Sequence, residues 1–151
     1  MIVTISPEKI KEIAEQLQSG FICWYHIPTG DILIIPDEMK GYEVEEEIWK
    51  DDLKEIKKKK KECVLIKGLN ANEEFGIMAS FAENEVDDPE VRSRLTYALN
   101  QRKPFMHFKS AIHYNDKYLK AWYAFKQESY EKHVITELEV YNLRNTTTDK
   151  N

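Results

Sequence analysis

The sequence predicts one α+β domain, with a small antiparallel sheet and flanking helices in the N-terminal half and four helices in the C-terminal half. Three observations carry this expectation. All five glycines lie at or before Gly76, which puts the turns in the first half and leaves a glycine-free remainder suited to long, tightly joined helices. Apolar residues recur at helical spacing along most of the chain, while residues 21–27 and 63–66 form short runs rich in aromatic and β-branched side chains. The length of 151 residues fits a single domain, since domains cluster near roughly 100–150 residues. Within residues 1–151 the expected division is an α-β-β-α-β part over 1–69, a helical part over 70–145 and a frayed tail over 146–151.

The elements follow in order. Ser6 caps the first helix and Pro7 suits its first turn, with Ile10, Ile13, Ala14 and Leu17 on one face before Gly20 stops it. Residues 21–36 read as a hairpin, because Pro28-Thr29-Gly30-Asp31 is turn chemistry between two strand-like runs. A helix is expected over 43–61, with Glu43, Glu45, Glu46 and Glu47 at its start and Lys57 to Lys61 at its end, complementing the helix dipole. Trp49, Leu53 and Ile56 form its inward stripe, with Val44 and Ile48 beside it. A third strand covers residues 63–67.

Asn72 is expected to cap the next helix, which carries Phe75, Met78, Ala79 and Ala82 on one face. Asp88 and Pro89 start another, placing Val91, Leu95, Ala98 and Leu99 together. Pro104 opens a third, where Phe105, Phe108 and Ile112 share a face. Asn115-Asp116 breaks the pattern before a final helix running from near Lys117 to Leu143.

Composition excludes several function classes. Twenty-seven acids against 22 bases give a net charge of −5, so a generally basic nucleic-acid coat is ruled out. No apolar run approaches the roughly 18–20 residues of a membrane span, and the N-terminal residues lack a signal-peptide layout. Cys23 and Cys63 sit in apolar segments without metal-ligand spacing, which fits reduced, buried thiols in a cytoplasm. Membrane partners are therefore not expected.

The lysine run at 57–61 reads as a solvated helix end, balanced by Asp51, Asp52 and Glu55 one turn back. Residues 91–133 are more informative, holding nine bases against three acids and nine of the 17 aromatics. Bases track phosphates and aromatic faces stack on bases, so this mixture suits single-stranded nucleic acid. Helical spacing instead turns most of these aromatics inward. Phe105, Phe108, Trp122 and Phe125 are expected to form one core cluster between two helices, with Lys109 and Lys126 extending outward along their stems.

Metal and catalytic motifs are absent. His107 and His113 are six residues apart, about 240° around a helix, and so do not share a face. His26 and His133 have no companions nearby in sequence. The acids Glu83, Glu85, Asp87, Asp88 and Glu90 lack the order of a calcium loop, and no nucleotide-binding, hydrolase or zinc-protease signature occurs. No cofactor, metal ligand or catalytic residue is nominated.

The segments FGIMASF (75–81), DDPEVRSRLTYAL (87–99), KPFMHFK (103–109) and WYAFK (122–126), together with CWYHIPTGDILIIPDE (23–38), resemble a bacterial family of uncharacterised proteins of the UPF series. The resemblance spans most of residues 6–141 and implies the same fold, but no activity and no catalytic residues. It departs at Pro104-Phe105, where many relatives carry Ala-Phe, and at His107, where many carry arginine.

On these grounds the chain is expected to be a non-catalytic, cytoplasmic protein-binding or adaptor domain. The alternative is RNA or single-stranded DNA binding through residues 91–133, which requires Tyr114, Tyr118 and Tyr123 to be open to solvent. Candidate anion or nucleic-acid contacts are Arg102, Lys103, Lys109 and Lys126.

Overall fold

The computed structural model describes residues 2–149. The chain is an α+β protein with helices α1 (Pro7–Gln18), α2 (Lys50–Lys59), α3 (Ala71–Asn84), α4 (Pro89–Leu99), α5 (Pro104–His113) and α6 (Asp116–Asp149). Its strands are β1 (Phe21–His26), β2 (Ile32–Pro36) and β3 (Cys63–Ile66), in the antiparallel order β2-β1-β3. Residues cluster into two compact units. One comprises the chain up to Gly68 and α6 from Tyr130 onward; the other comprises Leu69–Ser129.

In the first unit, the Ser6 hydroxyl accepts from the Lys9 amide to cap α1, and Pro7 sits at its start. Ile13, Ala14 and Leu17 are buried, and α1 lies against β1. Cys23 pairs with Ile66 and Tyr25 with Val64. Directly opposed residues share a face, so these four buried side chains line one side of the sheet. Trp24, Leu33 and Leu65 line the other and are only half-buried. The α6 segment is tied to this unit by Asn142, whose amide group both accepts from the Val3 N–H and donates to the Val3 carbonyl, each at 2.9 Å. His133 Nε2 donates to the Lys67 carbonyl at 2.7 Å.

The second unit packs Met78, Phe81, Leu95, Leu99, Phe108, Ile112, Tyr118 and Trp122 into one core. Trp122 sits edge-on to Phe81 and to Phe108, with ring centroids 5.3 and 5.0 Å apart. Phe125 lies 5.5 Å from Phe81. The expected aromatic cluster is present with Phe81 as a member, and Phe105 packs at its margin.

Four expectations need correction. The helix over 43–61 is only Lys50–Lys59, followed by a single 3-10 turn at Lys60–Glu62. Glu43 lies one turn from both Glu46 and Glu47, so a helix there would stack like charges. The first helical turn instead carries Asp51 and Asp52, and Trp49 at its start packs its ring 5.9 Å from Phe21. Ile48, expected beside the inward stripe, is 67% exposed. The cap of α3 is Asn70 rather than Asn72, because only Asn70 has an acid three residues on. Asn70 and Glu73 satisfy each other's backbone amides in a reciprocal capping box. Finally, α6 runs past Leu143 to Asp149, since nothing after Asn115 breaks helical geometry; the last two residues of the expected tail lie outside the described residues.

Candidate functional site

Helices α4 and α5 are packed neighbours joined by a four-residue connection, and residues of both line a groove of about 420 Å³. Small side chains, Ala98 and Ala111, face it, while Tyr97, Arg94, Gln101 and His107 form its sides. Residues 94, 97, 98 and 101 follow helical spacing, so one continuous stripe from α4 into its end builds one wall. Tyr97 is 69% exposed, a large ring held at the surface beside two alanines. Arg94 makes an exposed pair with Glu90 at 2.7 Å, of the kind worth about 0.3–0.5 kcal/mol and readily exchanged for another anion.

The connection is strained. Lys103 adopts φ 55°, the sole positive-φ non-glycine among the described residues, and serves as the start of α5 without a side-chain cap. A left-handed non-glycine costs about 1–3 kcal/mol and concentrates at functional positions. The conformation presents Arg102 and Lys103 as exposed side chains next to groove-lining Gln101.

The other two candidates lie elsewhere. Lys109 is exposed, but it is about 200° around α5 from both His107 and Ala111, on the far side from the groove. Lys126 is half-buried on α6 and engaged in interactions of its own. The tyrosines divide similarly. Tyr114 and Tyr123 are exposed at 88% and 60%, whereas Tyr118 is buried at 5%.

A second cleft, about 340 Å³, is lined by Glu85, Asp87, Arg92, Lys117 and Tyr118 among others. Its polar groups are largely spent on holding the α3–α4 connection. The Arg92 guanidinium donates twice to the Val86 carbonyl, at 3.0 and 2.7 Å. The Tyr118 hydroxyl donates to the Asp87 carboxylate and accepts from the Asp88 amide. The Tyr118 bond, with Lys117 nearby, holds the Asp87 carboxyl below its ordinary range. The same bond, with loss of solvation, raises the Tyr118 phenol.

In the sheet unit, Lys59 pairs with Glu55 at 2.9 Å, and Lys60 lies 6.0 Å from the Trp24 ring, so part of the lysine run is engaged locally. Burial pushes the Cys23 thiol up to about 12 and raises that of Cys63, which disfavours the nucleophilic thiolate at both. No group of three or more histidine, cysteine or acidic residues able to hold a metal occurs among the described residues. No described helix is long and apolar enough to cross a membrane. Sequence reasoning missed one constellation: His26 is 4% exposed and bonds both Thr29 and Glu62 through its two ring nitrogens. Only the three-residue spacing to Thr29 hinted at it, since Glu62 comes from a different strand end.

The chain is thus a small α+β protein with a groove lined by Ala98, Ala111, Tyr97, Gln101, Arg94 and His107. Residues 28–150 match the uncharacterised protein family UPF0158, and the chain belongs to that family. It is 28% identical over 131 residues to UPF0158 protein PA5073 of Pseudomonas aeruginosa, covering 86% of this chain and 80% of that relative. No solved structure matches the chain.

Proposed function

We propose that this chain is a non-catalytic protein-binding or adaptor domain of the cytoplasm. Its α4–α5 groove takes a partner segment that combines acidic side chains with an apolar anchor. The groove is the observation that carries this reading. Ala98 and Ala111 leave room for an inserted side chain, and Tyr97 offers a rigid amphipathic surface of the kind enriched at interfaces. In a chain of net charge −5, residues 89–113 hold five bases against one acid, so an acidic segment is drawn to this side. Arg94, His107, Arg102 and Lys103 are the proposed contacts. The buried free thiols of Cys23 and Cys63 support a reducing compartment.

Nucleic acid is the weaker reading, because Tyr118 is bonded to Asp87 and Trp122 is enclosed between Phe81 and Phe108, removing two stacking surfaces. Selection of displayed peptides on the full chain tests the proposal. Binders enriched in Asp or Glu around a Leu or Phe, and lost on Tyr97→Ala or Arg94→Glu, are expected. Peptides indifferent to both substitutions would refute the groove. Single-stranded oligonucleotides that bind at low salt and are lost on the same substitutions would transfer the site to nucleic acid.

A further inference from the structure

We propose that Thr29 is an acyl-acceptor hydroxyl, activated by His26 and positioned by Glu62, that takes an acyl group from small activated acyl donors such as acyl phosphates or aryl esters. The β1–β2 connection sets the geometry. Gly30, at φ 76°, lets its amide donate to the His26 carbonyl at 2.7 Å, while the His26 amide donates to the Asp31 carbonyl at 2.8 Å. This closure folds the Thr29 side chain back onto the strand end, where Oγ1 lies 2.7 Å from His26 Nδ1. On the other side of the ring, Nε2 lies 3.2 Å from Glu62 Oε1.

The donor and acceptor roles follow from chemistry. A carboxylate only accepts, so Nε2 carries the proton and donates to Glu62. In the neutral imidazole Nδ1 then holds the lone pair, and the Thr29 hydroxyl donates to it; in the imidazolium Nδ1 would donate instead, so the neutral ring is the reactive form. Nucleophile, base and orienting carboxylate are thus in hydrogen-bond series, the arrangement that activates a hydroxyl. Burial is distributed to match. His26 is 4% exposed and its ring is held from both sides, whereas Thr29 is an exposed residue on a surface turn, where a donor molecule can approach. The Asp31 amide also donates to Oγ1 at 3.2 Å, favouring negative charge there as the proton leaves.

In the transfer, Oγ1 attacks the acyl carbon and forms the new ester bond. The bond from that carbon to the leaving group breaks, with its electron pair departing on the leaving group. The hydroxyl proton passes to Nδ1, and the resulting imidazolium, paired with Glu62, returns it to solvent or to the leaving group. The Gly30 amide is already committed to the His26 carbonyl and is not free to stabilise an oxyanion. Without that amide, reaction relies on the good leaving group of an activated acyl donor, whereas the Thr29 ester would have to expel a poor alkoxide and so persists. The reaction is one stoichiometric transfer, compatible with a binding domain.

The test is incubation of the full chain with p-nitrophenyl acetate, followed by intact-mass measurement and peptide mapping. Lysine acetylation in the same sample serves as an internal standard. One acetyl group on Thr29 is expected, retained in Thr29→Ser and absent in Thr29→Val. In His26→Gln the Thr29 rate relative to the lysines should fall at least about 100-fold, the lower end of general-base contributions. In Glu62→Gln, which alters an exposed side chain, it should fall measurably with the fold intact. Acetylation confined to lysines would overturn the proposal, as would a wild-type Thr29 rate in folded His26→Gln. Should His26→Gln fail to fold, a wild-type rate in Glu62→Gln overturns the relay by itself.

Discussion

Replacing Trp122 with alanine probes the keystone of the helical unit. The side chain is 4% exposed and meets Phe81 and Phe108 edge-on at 5.3 and 5.0 Å. A buried aromatic removes roughly 150–250 Å² from water. At about 25 cal/mol per Å² this gives an upper bound of about 4–6 kcal/mol, reduced by partial burial in the unfolded chain. Each edge-on ring pair adds about 0.5–1.5 kcal/mol, and an unfilled cavity costs more unless α3 and α5 collapse into it. The measured range for such truncations, about 3–5 kcal/mol, is therefore the expected loss. Against a total stability of roughly 5–15 kcal/mol, that consumes a large share. Urea denaturation followed by far-ultraviolet circular dichroism measures it, with a drop in melting temperature of roughly 6–20 °C as a second reading. Should the alanine variant not fold, Trp122→Phe keeps the test open, with an expected smaller loss and a native spectrum. A loss below about 1 kcal/mol for alanine would show that the ring is not core, returning it to the role of a nucleic-acid stacking platform.

Further outcomes follow from other residues. The folded-state carboxyl of Asp87 is depressed by Tyr118, so its contribution is present above the ordinary carboxylate range and lost as pH falls through the lowered value. Tyr118→Phe should reduce that acid dependence, leaving the part due to Lys117 and the backbone amides, and an unchanged acid-unfolding curve would contradict it. The Tyr118 phenol is raised, so its stabilisation holds below the ordinary tyrosine range and disappears as pH climbs through the higher value, again measurable by denaturation. Gly20 has φ 94°, and an added Cβ would lie 2.5 Å from the exposed Tyr42 ring. Gly20→Ala should cost about 1–2 kcal/mol, mostly from the backbone, and the cost should persist in a Tyr42→Ala background. Lys103→Gly should raise stability by up to about 1 kcal/mol by relieving the left-handed strain while weakening peptide capture; equal melting and equal binding would count against a functional role. We also propose that the two compact units unfold as one domain, because α6 contributes to both. A single calorimetric transition is expected, and two resolved transitions would refute it.

The elements that were legible in the sequence carry their own local chemistry. Ser6-Pro7 and Asp88-Pro89 start helices where they stand, and Gly30 turns the hairpin. The misplaced elements were cases where one signal outweighed a quieter competing one. Helix-forming glutamates at 43–47 concealed like-charge neighbours, and Asn72 concealed the better-spaced pair of Asn70 and Glu73. Spacing already sets Tyr118 one turn before Trp122 on α6, and its burial goes against the exposure that the nucleic-acid alternative requires. Phe81, likewise, falls one turn from Met78 on the buried face of α3.

The proposed binding surface was less legible for a different reason. A groove between α4 and α5 depends on two alanines from separate helices standing opposite each other, and neither alanine is informative in its own segment. Basic residues look alike along the chain, yet helix rotation sends His107 and Ala111 into the groove and Lys109 away from it. Within the binding proposal, the backbone at Lys103 marks out these cations more sharply than composition does. A helix start built from a left-handed lysine, where glycine would be relaxed, gives up local stability and leaves Arg102 and Lys103 exposed next to groove-lining Gln101. That cost is why the two cations next to the groove, rather than the more numerous lysines of residues 57–61, are included among the proposed contacts.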